Sequence, residues 1–235
     1  MIPTGLDFFD FGCSHGANIH YIQSLDPAIR GLGIDIDQKK VDQATAKGFL
    51  AINYDILKLP RQKQVSFVTM SHFLEHLPSA KMAEAMIEQS VELARDFIFI
   101  RQPWFDSDGA LLLQDLKFYW SDWRGHSNKM TSLDFYLCLK RALAEGSICG
   151  FKIFGRTPVT SSSDSTLIPV SAPIDQHHYD RDRHGDKKVG LPLATTAFKE
   201  IVVIASITAD GRIAPFIKPL GELALLQSAG ITQNL

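Results

Sequence analysis

The stretch Leu6–Asp37 constrains this chain more than any other. It reads LDFFDFGCSHGANIHYIQSLDPAIRGLGIDID: an apolar run, a glycine turn, a helix, then a second apolar run ending in acids. That order is half of a nucleotide-binding α/β unit. The turn Gly12-Cys13-Ser14-His15-Gly16 lets the backbone approach a ligand closely at a helix N-terminus. Asp35 closes the second strand about 20 residues later, where an acid accepts both hydroxyls of a ribose. A dinucleotide fingerprint needs glycine at positions one, three and six of its hexad; here those positions hold Gly12, Ser14 and Ala17. Ser14 puts a side chain where a pyrophosphate would lie. A ribose-binding acid without a pyrophosphate cradle points to a nucleoside ligand.

Further segments carry a resemblance. Asp10-Phe11-Gly12-Cys13-Ser14-His15-Gly16 resembles the acid-x-Gly-x-x-x-Gly first motif of class I S-adenosylmethionine-dependent methyltransferases, and Gly33-Ile34-Asp35-Ile36-Asp37 resembles their second-strand motif. Asn53–Pro60 is similar to the third-strand D-x-x-x-L-P segment, and Ser71–Leu77 to the L-E-H-L after the fourth strand. The four stand in the family's order over Leu6–Phe154. The resemblance implies S-adenosylmethionine as cofactor and methyl transfer as activity. It also implies a Rossmann-like, mostly parallel seven-stranded sheet with helices on both faces and an antiparallel last strand.

Composition agrees with an α/β domain. The chain has 235 residues, 45% of them apolar, enough for a sizeable core. A net charge of −2 gives no electrostatic case for nucleic-acid or membrane-surface binding. Cys13, Cys138 and Cys149 are odd in number and widely spaced, so a reducing cytoplasm is the expected setting. No secretory signal and no apolar run of membrane-spanning length are read.

Strands are expected at Leu6–Phe11, Gly31–Asp35, Phe49–Asn53, Val65–Ser71, Phe97–Arg101, Phe151–Phe154 and Phe198–Ile207, with helices at 16–25, Gln38–Ala46, Ser79–Arg95 and Ser132–Ala144. In Ser79–Arg95, Ala80, Ala83, Ile87, Val91 and Ala94 recur at helical spacing, with charges on the other face. Strands alternating with helices imply a parallel sheet covered on both faces. Within a single domain over 1–235, two stretches break the pattern. The 103–130 segment is rich in aromatics and reads as an acceptor-side loop; 157–196 is polar and reads as an insertion or lid.

The resemblance implies Asp35 at the ribose, with Ile36 beside it, and Gly12, Cys13 and Gly16 around the methionine moiety. Asp10 would order that turn and reach the ammonium through water. Asp55 would accept from the adenine amino group, with Ile56 packed nearby, and Ser71 and His72 would lie near the methionine part. The alternatives are a helix cap for Asp35, turn stabilisation for Asp10 and a surface acid for Asp55. Relatives carry an acid near the start of strand 4 where this chain has Ser66. They also carry a helical segment before strand 1, so cover here is expected from 103–130, 157–196 or another subunit, which makes a homodimer conceivable.

For catalysis, a base near pKa 7 favours histidine. His126, in Arg124-Gly125-His126-Ser127-Asn128, and His72 are the candidates, with His76 orienting its loop. Trp104, Phe105, Trp120 and Trp123 are candidates for an apolar acceptor wall, or for a stacking platform under bases. The balanced charge favours a small-molecule acceptor. Gln176–His184 has no metal-ligand spacing, and Asp175–Lys188 holds four acids and four bases, so it reads as a solvated loop with no metal. Two readings compete with the methyltransferase: a non-catalytic cofactor-binding or scaffold relative, and an NAD-dependent oxidoreductase.

Overall fold

The computed structural model describes residues 2–209 and 220–230. Met1, 210–219 and 231–235, which the single-domain expectation also spans, lie outside the described residues. The first half of the chain is β1 (Phe8–Phe11), α1 (Ala17–Leu25), β2 (Gly31–Asp35), α2 (Gln38–Ala46) and β3 (Ala51–Asn53). Then come β4 (Val65–Ser71), α3 (Ala80–Leu93), β5 (Ala94–Pro103), α4 (Asp108–Leu112), β6 (Leu116–Phe118) and α5 (Ser132–Ala144). The remainder is β7 (Gly150–Ser161), β8 (Leu167–Pro169), α6 (Arg181–His184), β9 (Pro192–Ser206) and β10 (Leu223–Gly230).

The main sheet runs β10-β7-β9-β5-β4-β1-β2-β3. Strands β1 to β5 are parallel, and β9 lies antiparallel between β5 and β7. The fold class is the expected one. The sheet holds eight strands where seven are expected, because β10 pairs antiparallel along the edge of β7.

Local chemistry sets the helix starts. The Asp37 carboxylate accepts from Lys39 N at 2.9 Å and caps α2, and the Ser79 hydroxyl accepts from Met82 N to cap α3. A reciprocal Thr131–Asp134 box opens α5.

Because parallel strands are buried on both faces, their side chains divide between two cores. Phe9, Phe11, Val68, Met70, Ile98 and Ile100 share one with Ile87 of α3 and Phe135 of α5. On the α1 side, Phe8, Phe67 and Phe97 stand opposite one another across β1, β4 and β5. Their rings stack with centroids 5.1 and 4.8 Å apart. Gly31 ends the row on β2, since a Cβ there would lie 2.1 Å from the Phe8 ring.

The two irregular stretches join each other. β6 pairs antiparallel with β8, and Tyr119 N donates to Thr166 O. β7 and β9 run well past the expected Phe151–Phe154 and Phe198–Ile207, forming a ribbon that carries the 157–196 segment at its tip. Within it Leu167, Ile168 and Ala172 are buried, whereas 175–188 is mostly exposed, as a solvated loop should be, with only His184 and Lys187 turned inward. Lys187 Nζ donates to the carbonyls of Asp164 and Leu167, which satisfies an ammonium that composition alone places in water. His184 Nδ1 accepts from Asp180 N within its own turn. Among the described residues, no helix is long and apolar enough to cross a membrane.

Candidate functional site

Two cavities open at the carboxyl ends of the parallel strands, where open α/β sheets bind ligands. One, of about 460 Å³, is lined by Gly12, Ser14, Asp35, Ile36, Asp55 and Ile56, together with Tyr54, Phe73 and Met86. Asp35 is 7% exposed; its two oxygens accept from Ser14 N and Asp37 N, each at 2.9 Å. A carboxylate has about four lone-pair sites, so both oxygens keep acceptor capacity. Asn53 Nδ2 donates to the carbonyls of Asp35 and Ile36 and pins the bend that leaves Ile36 79% exposed. Asp55 Oδ1 accepts from Leu57 N, and Oδ2 lies 3.6 Å from Lys58 Nζ.

The glycine turn is internally satisfied. Gly12 N and Cys13 N donate to Ile34 O, Ser14 N to Asp35, and Gly16 N to Cys13 O. Those four N–H groups are therefore not an anion nest. Asp35 retains its acceptor capacity, so the arrangement suits a nucleoside better than a pyrophosphate.

The other residues assigned to this ligand sit behind the cavity wall. Cys13 is turned into the α1-side core, where burial pushes its thiol up to about 12. A Cβ on Gly16 would meet the Phe49 ring at 2.4 Å, so this glycine serves close packing. Ser71 ends β4 without lining the cavity. Asp10 is 1% exposed; Oδ1 accepts from Asn18 Nδ2 and Thr69 Oγ1, and Oδ2 has no hydrogen-bond partner. Burial raises Asp10 from 3.8 to about 6, with Asp35 adding to the rise and Asn18, Thr69 and Arg101 opposing it.

The sign of the linkage follows. The native state holds this proton more tightly than the unfolded chain, so the stability Asp10 contributes is present below pH ~4 and is lost as pH rises through ~6. Asp10→Asn should remove that slope. Wild-type melting temperature, measured relative to the variant between pH 4.5 and 7, is expected to fall with rising pH. A flat difference would contradict the assignment.

The second cavity, of about 590 Å³, adjoins the first at His72 and His76, which line both. Tyr119, Trp120, Trp123 and His126 form one wall; Arg156 and Thr157 of β7 and Lys199 and Glu200 of β9 form another. Both volumes lie in the range of small-molecule sites. Trp104 and Phe105 do not line this cavity. Trp104 Nε1 donates to Ser107 Oγ, and Trp104 packs edge-on against Phe198, so both belong to the core beneath. Trp123 stacks on His126 and meets His177 edge-on, so the 157–196 segment covers the aromatic wall.

Ser14, His72 and Thr157 have φ of 48°, 51° and 57°. All three line the two cavities, while the other left-handed non-glycine residues, Asp115, Asp175 and His178, lie outside them.

His72 lies between two acids: Nε2 is 2.9 Å from Glu200 Oε1, and Nδ1 is 3.4 Å from Glu75 Oε1. Burial works against its charge, yet Glu200 and Glu75 outweigh it and lift His72 to about 9. Burial likewise opposes ionisation of Glu200, but His72, Arg101 and Arg156 hold it at about 2. A protonated imidazole accepts no proton, so His72 does not serve as general base at neutral pH. For His126, burial pushes the imidazole below its usual value, and Nδ1 donates to Trp120 O at 3.0 Å. His126 is thus the neutral histidine of the expected pair.

Sequence reasoning gave no role to Glu75, Arg156, Lys199 or Glu200, all of which line the second cavity. For Glu200 a signal existed: a lone acid just ahead of the apolar run Ile201–Ser206.

No family model matches the sequence, and no curated protein matches it. Solved structures do match. One is a SAM-dependent methyltransferase from Archaeoglobus fulgidus, with TM-score 0.58 and 19% identity over 86% of this chain and 87% of that one. The chain has the fold of class I SAM-dependent methyltransferases. The YcgJ protein of Bacillus subtilis also matches, with TM-score 0.53 and 14% identity over 86% and 91% of the two chains. The plantazolicin methyltransferase BpumL, solved with S-adenosylhomocysteine and a pentazolic substrate analogue, gives TM-score 0.52 and 14% identity over 86% and 76%.

Proposed function

We propose that the protein transfers a methyl group from S-adenosylmethionine to an oxygen or nitrogen of a small-molecule acceptor. The observation that carries this reading is the meeting of two cavities at His72 and His76. One is walled by Asp35, Ile36 and Asp55, the other by aromatic side chains. Asp35 would hold the ribose hydroxyls, and Ile36 and Asp55 would flank the adenine. The cofactor would supply an electrophilic methyl group. The protein's part is to bring the acceptor into line, an effect worth up to about 7–11 kcal/mol in favourable intramolecular systems. Tyr119, Trp120 and Trp123 would form the acceptor wall, and His126 would face the attacking atom. The 103–130 and 157–196 segments together form the cover of a single catalytic domain.

Thermal unfolding with S-adenosylmethionine, S-adenosylhomocysteine and NAD tests this. A ligand at about 100 times its dissociation constant stabilises by about 2.7 kcal/mol. For a domain of this size that is roughly 5–10 °C. The two sulfur nucleosides should give that shift and NAD none; a shift with NAD alone would overturn the reading. Radiolabelled methyl transfer to a panel of small acceptors then separates an enzyme from a non-catalytic relative.

A further inference from the structure

Glu75 is 1% exposed and lines the acceptor cavity, yet neither of its carboxylate oxygens has a hydrogen-bond partner. His72 Nδ1 lies 3.4 Å from Oε1, and Oε2 has no hydrogen-bond partner. An acid in that position is costly unless something cationic completes it.

Two imidazoles converge on it. Ligand atoms of Glu75, His76 and His126 all lie within 4.8 Å of one another. His76 Nδ1 donates to Gly125 O at 2.9 Å, and His126 Nδ1 donates to Trp120 O at 3.0 Å. Each Nδ1 is thus engaged by a backbone carbonyl, which leaves Nε2 as the nitrogen free to meet a ligand. Backbone carbonyls orient metal-binding histidines in the same way.

The two chain segments are also clamped. Asn128 N donates to Glu75 O and Asn128 Nδ2 to Leu74 O, which holds the 124–128 loop against the Leu74–His76 turn. The cluster thus runs from the buried Glu75 through half-buried His126 to exposed His76, with the Asn128–Leu74 hydrogen bond buried beneath it.

We propose that Glu75, His76 and His126 bind a divalent transition-metal ion at the floor of the acceptor cavity. The acceptor then carries an oxygen able to ligate that ion. The second half of the inference rests on the methyltransferase reading; the site itself does not.

Two nitrogens and one carboxylate favour a first-row transition metal over magnesium or calcium, which prefer all-oxygen shells. Metal–ligand bonds of about 2.1 Å place tetrahedral ligand atoms about 3.4 Å apart. The ligand atoms, within 4.8 Å of one another, would have to draw together by small side-chain rotations on binding the ion. Three protein ligands leave coordination positions open toward the cavity, as in catalytic rather than structural sites. Sequence spacing expects no metal because it looks within 176–184, whereas these ligands come from two segments that only the fold brings together.

The test uses the whole chain, stripped of metal with a chelator and titrated with Co²⁺, followed by visible d–d absorption, and with Zn²⁺ by calorimetry. One ion per chain is expected. Glu75→Gln, His76→Asn and His126→Asn should each weaken Zn²⁺ binding by about 100-fold or more and remove the cobalt bands, while in Glu75→Gln and His126→Asn, which lie outside the nucleoside cavity, S-adenosylhomocysteine still raises the melting temperature. In the wild type, Co²⁺ should broaden the imidazole resonances of His76 and His126 more than those of His177, His178 and His184, a readout independent of how any variant folds. Asp35→Ala should lose the nucleoside and keep the metal. A wild type that binds the nucleoside but neither metal overturns the inference and leaves the methyltransferase reading standing. Metal bound equally well by all three variants also overturns it. Metal bound at these residues without any nucleoside affinity supports the site and removes the methyl-acceptor role.

Discussion

Asp35→Ala is expected to weaken S-adenosylhomocysteine binding by two orders of magnitude or more while the sheet remains folded. Hydrogen bonds to a charged group contribute about 1.5–3 kcal/mol each. Two ribose hydroxyls on one carboxylate therefore represent about 3–6 kcal/mol. The substitution also frees Ser14 N and Asp37 N, which now meet the carboxylate at 2.9 Å. A loss of about 1–3 kcal/mol in stability should accompany the binding defect. Asp35→Asn separates the two effects, because it keeps the shape and one acceptor oxygen. Calorimetry with S-adenosylhomocysteine and urea unfolding on the same samples measure both. Unchanged affinity in a folded Asp35→Ala protein would remove Asp35 from the ribose site.

The second large effect is on stability. Phe67 is the middle ring of the Phe8–Phe67–Phe97 row and is 4% exposed. Truncating a buried phenylalanine to alanine costs about 3–5 kcal/mol. The lost ring contacts lie on both sides, and each such pair adds about 0.5–1.5 kcal/mol beyond burial. Against a total of about 5–15 kcal/mol for a domain, Phe67→Ala should bring the protein close to its unfolding threshold at 37 °C. The urea midpoint should fall with little change in the slope of the transition. A loss under about 1 kcal/mol would mean that the neighbouring rings collapse into the space. Phe67 lines neither the nucleoside nor the acceptor cavity, so the nucleoside site should persist in whatever fraction stays folded.

The parallel half of the sheet was legible because each strand is an apolar run bounded by glycine, proline or an acid. Gly31–Asp35, Gln38–Ala46, Val65–Ser71 and Ser132–Ala144 appear in the structure with the expected ends. The 157–196 segment was not, for a physical reason. Its buried Lys187 is satisfied by backbone carbonyls and its apolar β8 by pairing with β6, and neither partner is visible in local composition. The site was legible in part. Asp35, Ile36 and Asp55 stand on the cavity wall, whereas Asp10 and Cys13 carry motif positions whose side chains point into the interior. The charge on His72 depends on Glu200, 128 residues away, and no motif encodes that pairing. Trp104 and Phe105 sit next to the cavity in sequence and below it in space.

The internally satisfied Gly12–Gly16 turn has a consequence for redesign. Ligand choice there is written in backbone donors that already have partners, rather than in the Ser14 side chain that interrupts the fingerprint. Swapping Ser14 for glycine would restore the dinucleotide pattern on paper and leave its own N–H turned toward Asp35. Conversion to a phosphate cradle would require moving the loop itself. Cofactor choice at this turn is therefore set by main-chain geometry, which no single side-chain replacement rewrites.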